Sequence, residues 1–171
     1  CWGTRGSLPT PGTDTLKYGG NTTCFQVDGD DGTLIVIDAG TGMRSLGGHL
    51  LKKDRRRDIH LLITHAHWDH LMGFPFFGPA SRKDYHLHIY GHLGGSYPLK
   101  KIIAHQLQAP FSPLVLKQLK AKMTFTDRFM KKFSLGGIEV SMVPLSHPNG
   151  GVGYKFTENG RSMVFLTDNE L

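Results

Sequence analysis

The stretch THAHWDH, residues 64–70, packs three histidines and an aspartate directly behind the apolar run DIHLLI of residues 58–63. In an extended segment side chains alternate, so His65 and His67 project to the same side and can share one ion. Asp69 and His70 fall where the chain must turn, which aims a carboxylate and a third imidazole at a neighbouring ion. Imidazole and carboxylate donors suit Zn, Mn or Fe, whereas Ca and Mg favour oxygen-rich sites. Crowded at the end of a buried strand, these four groups would repel or desolvate one another without a cation. We therefore read His65, His67, Asp69 and His70 as metal ligands.

The flanking sequence supplies a scaffold for such a site. TLIVIDAG (33–40) reads as a buried strand stopping at a turn, and MRSLGGHLLKK (43–53) carries Met43, Leu46, Leu50 and Leu51 at near-helical spacing. With DIHLLIT (58–64) as a second buried strand, residues 33–64 form a strand-helix-strand unit from whose end the histidine cluster hangs. Downstream, YHLHIY (85–90) predicts a further strand, and PLKKIIAHQLQ (98–108) a helix opened by Pro98. The region 91–111 is expected to be an insertion over the core. IEVSMVPL, GVGYKFT and RSMVFLT predict three more strands, the last two joined by an Asn159-Gly160 hairpin.

Bulk composition agrees with a folded domain. The 171 residues are 39% hydrophobic and 20% charged, with 22 glycines, which is too apolar for a disordered chain. One domain spanning 1–171 is expected, cut short at both ends because the chain opens at Cys1 on a turn-rich GTRGSLPTPG and stops just after TDNEL. The net charge of +6 favours anions such as phosphates or nucleic acid. The basic run 52–57 sits between two predicted elements and reads as solvated loop, with phosphate-backbone contact the minority alternative. Two cysteines are too few for a disulfide framework. No stretch approaches a membrane span and no signal-peptide pattern precedes the fold, so a cytoplasmic location is expected.

Two further residues join the ligand set. His147, in SHPNGG, and Asp168, in TDNE, each follow a predicted strand, where the open edge of a sheet collects side chains from several strand ends. His49, His60, His86, His88, His92 and His105 lack such company and read as surface or hydrogen-bonded residues. His86 and His88 alternate on a strand and are suited at most to an adventitious metal.

THAHWDH, SHPNGG and TD, preceded by DAG, resemble the metallo-β-lactamase-fold hydrolase superfamily. The opening GTRGSLPTPG and YGGNTTC are similar to its phosphodiesterase and ribonuclease-Z-like branch. The resemblance implies an α/β four-layer αββα sandwich with two divalent metals, Zn foremost and Mn or Fe next, at one edge between the sheets. It assigns His65, His67 and His147 to one metal and Asp69 and His70 to the other, with Asp168 bridging. Asp38, in DAG, matches an aspartate that orients the site without touching the ions. The family's further histidine, downstream of the bridging aspartate, has no counterpart up to Leu171.

The expected function is hydrolysis of a phosphodiester by hydroxide formed between the two cations, with Asp69 orienting the nucleophile or relaying its proton. A small diester such as a cyclic nucleotide is favoured; the aromatic stretch 74–77 and residues 106–113 read as ordinary core or loop packing or, alternatively, as pocket walls, and Asn21 as either a turn residue or a group facing the site. Three alternatives stand beside this reading: ribonuclease-Z-like cleavage of RNA, hydrolysis of a thioester, lactone or β-lactam on the same metals, and a non-catalytic metal-binding regulator. RNA and a second copy of the chain are the further partners considered; a membrane is not.

Overall fold

The computed structural model describes residues 1–92 and 97–170. Strands β1 (Phe25–Asp28), β2 (Leu34–Ile37), β3 (Asp58–Ile63), β4 (His86–Gly91) and β5 (Lys122–Asp127) form one sheet in that order. β1 runs antiparallel to β2, and the pairs from β2 to β5 are parallel. Strands β6 (Phe133–Leu135), β7 (Ile138–Pro144), β8 (Val152–Glu158) and β9 (Arg161–Phe165) form a second, wholly antiparallel sheet. β8 and β9 meet at the expected hairpin, with Asn159 and Gly160 both at positive φ (49° and 73°) as a type I′ turn demands.

Parallel neighbours need crossovers, and α1 (Gly42–Lys53) supplies the one between β2 and β3. Its apolar stripe, Met43, Leu46 and Leu50, packs on Leu34, Val36, Ile59, Leu61 and Ile63. α2 (Leu99–Gln106) adds Leu99 and Ile103 to the same core. The opposite face of the first sheet turns Ile35, Ile37 and Leu62 onto Ile138, Val140, Met142, Tyr154 and Phe156 of the second. Each such fully buried aliphatic side chain contributes about 1.5–3 kcal/mol. The layers are therefore helix, sheet, sheet. Among the described residues no helix covers the outer face of the second sheet, where Val143, Val164 and Leu166 are exposed.

Some local expectations need correction. The region 91–111 does more than lie over the core, because Leu99, Ile103 and Leu107 are fully buried parts of it; residues 93–96 of this region fall outside the described residues. The basic run is half structural: Arg56 pairs with Asp54 and Asp28, and Arg57 with Asp84. Phe74 and Phe77 are buried in the helix-side core rather than walling a pocket, while Phe76 and Phe111 stand in solvent. Cys1 and Cys24 are both free thiols. No helix among the described residues is long and apolar enough to cross a membrane.

Candidate metal centre

The site forms at the carboxyl ends of β2 and β3, where the parallel strands release their chains toward the second sheet. Asp38 follows β2 with φ +61°, a left-handed conformation that aspartate tolerates better than most residues. The next residues are stitched to the histidine turn: Ala39 N–H donates to His70 O (2.8 Å) and Gly73 N–H to Ala39 O (2.7 Å). The approach is so close that a Cβ on Gly73 would lie 1.9 Å from Gly40 O, and one on Gly40 2.3 Å from Asp69 O. Glycine at both positions lets the two segments meet. Residues Trp68–His70 form a single 3₁₀ turn, which swings Asp69 and His70 inward and leaves Trp68 72% exposed between ligands.

His65 and His67 share a side, as alternation requires. Nε2 of His65 lies 3.1 Å from Nδ1 of His67, and Nε2 of His147 lies 3.0 Å from that same Nδ1. His147 reaches them from the turn between β7 and β8, which is anchored where Val152 N–H donates to Thr64 O (2.8 Å) and Leu145 N–H to Gly151 O (3.0 Å). Asp168, after β9 and at φ +50°, places Oδ2 2.9 Å from Nε2 of His70 and 3.3 Å from Nε2 of His65. Two compact groups result, His65/His67/His147 and His65/His70/Asp168, each with its ligand atoms within 4.8 Å of one another.

Asp69 is set slightly apart. Its Oδ2 accepts the N–H of Ser7 (2.9 Å) and lies 3.3 Å from Nε2 of His70. It lines, with Gly6, Ser7, His67, His147, Asp168, Asn169 and Glu170, an open cleft of about 330 Å³. Asn21 does not reach this cleft: its side-chain oxygen accepts from Thr41 Oγ1 (3.1 Å), and its carbonyl from Thr4 and Arg5, so it fastens the N-terminal loop instead.

Asp38 is the electrostatic keystone. It is completely buried, and it accepts from Thr64 N–H (2.8 Å), Thr64 Oγ1 (2.9 Å) and His70 Nδ1 (2.7 Å). Burial pushes the Asp38 carboxyl up against these hydrogen bonds. Burial pushes His70 down, but Asp38's hydrogen bond and charge, with Asp69 and Asp168 behind it, outweigh this and raise it to about 9. His65 is driven to about 4, by burial first and then by the neighbouring imidazoles.

These features fit divalent cations. Zn–N bonds of about 2.0–2.1 Å at tetrahedral angles put ligand nitrogens roughly 3.3 Å apart, close to the 3.0–3.1 Å separations here. Lone pairs aimed at one another at that range need a proton or a cation between them. His147 Nδ1 is buried without a hydrogen-bond partner, its nearest carboxylate being Glu170 Oε1 at 3.5 Å. Asp38 holds the Nδ1 proton of His70, so Nε2, which faces Asp168, is the nitrogen that would give up its proton to a cation, a common arrangement behind metal-binding histidines.

Sequence reasoning missed Ser7, Thr64 and Glu170. Thr64 stands inside the quoted motif, but only the fold shows that it ties Asp38 to the ligand turn. Ser7 touches Asp69 through its backbone, which no side-chain pattern announces.

Residues 33–171 match the family model described as "Beta-lactamase superfamily domain". Ribonuclease Z of Porphyromonas gingivalis is 29% identical over 136 residues, which is 75% of this chain and 41% of that protein. The chain thus spans less than half the length of this curated relative. Among solved structures, the metallo-β-lactamase fold protein YhfI from Bacillus subtilis superposes with a TM-score of 0.65 at 15% identity, covering 95% of this chain and 58% of that one. The short form of human tRNase Z gives 0.60 at 20% identity, covering 97% and 66%. Both share the two-sheet fold, and together with the family match they make this chain a member of the metallo-β-lactamase-fold hydrolase superfamily.

Proposed function

We propose that this chain carries the site of a metal-dependent phosphodiesterase acting on a small diester such as a cyclic nucleotide, in a reducing, cytoplasmic setting. The observation that carries the reading is the convergence of His65, His67 and His147 beside His65, His70 and Asp168, which brings ring nitrogens and a carboxylate to distances suited to metal coordination. Asp69 would join His70 at the second ion, whose ring nitrogen lies 3.3 Å away. Two divalent cations held there, Zn foremost and Mn or Fe next, would supply Lewis acidity at the phosphoryl oxygens and a water ionised near neutral pH.

The chain's own residues do the rest. Ser7 N–H fixes one carboxylate oxygen of Asp69 and leaves the group, at the floor of the cleft, able to accept or hand on a proton. Asp38 and Thr64 hold His70 in orientation. The open cleft admits a phosphodiester from solvent, and the net charge of +6 favours an anionic substrate.

A second reading, cleavage of RNA, is supported by the likeness to proteins named ribonuclease Z and tRNase Z. Turnover of bis(p-nitrophenyl) phosphate by Zn- or Mn-loaded protein, abolished by His67→Ala, tests the shared chemistry. A panel of cyclic nucleotides, linear dinucleotides and transfer-RNA precursors then separates the two. Metal-loaded protein that hydrolyses none of these, yet cleaves a thioester, lactone or β-lactam, or nothing at all, defeats the proposal.

A further inference from the structure

At the other end of the first sheet, β3 and β4 begin with a second group of metal-loving side chains. Asp58 pairs with His86 and His60 with His88 in the parallel register. All four alternate onto the face that turns toward the second sheet, because Ile59, Leu61, Leu87 and Ile89 occupy the helix side. The second sheet covers this face only as far as Leu62 and Tyr90, so the polar group stands beyond the inter-sheet core.

We propose that Asp58, His86 and His88 form a separate binding site for a divalent transition-metal ion such as Zn²⁺. One ligand atom from each lies within 4.8 Å of the others. His88 Nε2 is 3.2 Å and His86 Nδ1 3.5 Å from the same oxygen, Oδ1 of Asp58. The two rings are packed at 3.7 Å between centroids. His86 Nε2 is buried with no hydrogen-bond partner among the described residues, and Nδ1 is the ring nitrogen that faces Asp58. His88 is oriented from behind: Thr124 Oγ1 on β5 lies 3.2 Å from Nδ1, which leaves Nε2 directed at Asp58.

Two imidazoles and a carboxylate are three protein ligands with open positions for water, a donor set that selects Zn²⁺, Cu²⁺ or Ni²⁺ over Mg²⁺ or Ca²⁺. Asp58 is 71% exposed, so solvent completes the shell. His60 stacks on His88 at 4.8 Å between centroids but directs Nδ1 to Tyr90, and so supports the ring rather than binding. Lys122, opposite His86 on β5, carries a positive charge that opposes a cation and so lowers the affinity of the site. The length of β3, Asp58 to Ile63, separates the site from the other centre, roughly 17 Å at about 3.3 Å per residue, so it is a distinct locus. The sequence shows His86 and His88 alternating on a strand, suited at most to an adventitious metal; the register of β3 and β4 adds Asp58 beside them.

The test counts metal. Untagged chain, His86→Gln/His88→Gln double variant and Asp58→Asn are dialysed to equilibrium against micromolar free Zn²⁺, and bound zinc is measured by mass spectrometry, with circular dichroism confirming the fold. The parent is expected to hold one more equivalent than either variant, and anomalous scattering at the zinc edge to show a peak between Asp58, His86 and His88. Asp58→Asn, which changes only an exposed group, is expected to weaken this equivalent at least tenfold. Equal zinc content in all three proteins, binding only at millimolar zinc, or no anomalous peak overturns the site, whatever the other centre holds.

Discussion

Replacing Asp38 tests the logic of the main centre, because this residue touches ligands without lying among them. Asp38→Asn preserves shape, and asparagine tolerates φ +61°. Its amide oxygen can still accept from Thr64 N–H, but its NH₂ then faces His70 Nδ1, which in the parent donates to the Asp38 carboxylate at 2.7 Å. Two donors cannot share that contact. His70 must move its proton to Nε2, the nitrogen directed at Asp168, or rotate away. Partners behind metal ligands typically carry 10–100-fold in metal affinity, or about 1.4–2.7 kcal/mol. Asp38→Ala is harsher, orphaning Thr64 N–H and His70 Nδ1 at about 1–3 kcal/mol each. Chelator-competition titrations with Zn²⁺ measure the first effect and thermal melts in EDTA the second. The expected outcome is a 10–100-fold weaker zinc complex for Asp38→Asn with the fold intact, and a chelated Asp38→Ala protein destabilised by about 2–6 kcal/mol. Unchanged zinc affinity in Asp38→Asn would refute the assigned tautomer and, with it, the role given to Asp38.

Further outcomes follow from other details. Gly73→Ala drives a methyl to within 1.9 Å of Gly40 O, so overpacking should cost about 2–4 kcal/mol; an unchanged melting temperature contradicts the close approach. Cys24 is fully buried, and burial raises its thiol far above the usual range, with Asp38 adding to the effect. Native protein should therefore take up one equivalent of iodoacetamide, at exposed Cys1, and two only when unfolded, as peptide mass mapping can check. Burial, then His88, lowers His60 to about 4. A histidine depressed in the folded state contributes fully above its unfolded value of about 6.5 and loses that contribution as pH falls toward 4. Discounted for partial exposure, this amounts to about 1–2 kcal/mol. His60→Gln should flatten the acid limb of stability between pH 6.5 and 4 in metal-free urea titrations, and parallel curves for parent and variant would show the effect absent.

What the chain announced and what it withheld have physical causes. β2 (LIVI) and the second half of β3 (LLI) are buried on both faces, so they stand out as apolar segments. The H-x-H-x-D-H cluster was legible because its residue types are costly together unless an ion is near. His147 and Asp168 were legible only through strand-end context. β1, β5 and β6 were not anticipated: all three are edge strands, and β5 alternates Lys122, Thr124 and Thr126 with the partly buried Met123 and Phe125, so none shows a strong run. The aromatic stretch 74–77 misled because a 3₁₀ turn at Phe74–Phe76 rotates Phe74 and Phe77 into the core. The Ser7–Asp69 contact spans 62 positions and the Asp58–His86–His88 group depends on strand register, neither of which local pattern encodes.

The first sheet takes its five strands from residues 25–127 and the second its four from residues 133–165, so each sheet is built from one continuous stretch of the chain. His65 and His70 come from one and His147 and Asp168 from the other, so an ion held among them would act as a rivet through the seam between the two sheets. Prising the sheets apart then requires the ion to leave first. Loaded protein should resist proteolysis on the timescale of ion release, a kinetic lock, while the apo form breathes open along the apolar seam lined by Leu62 and Tyr154.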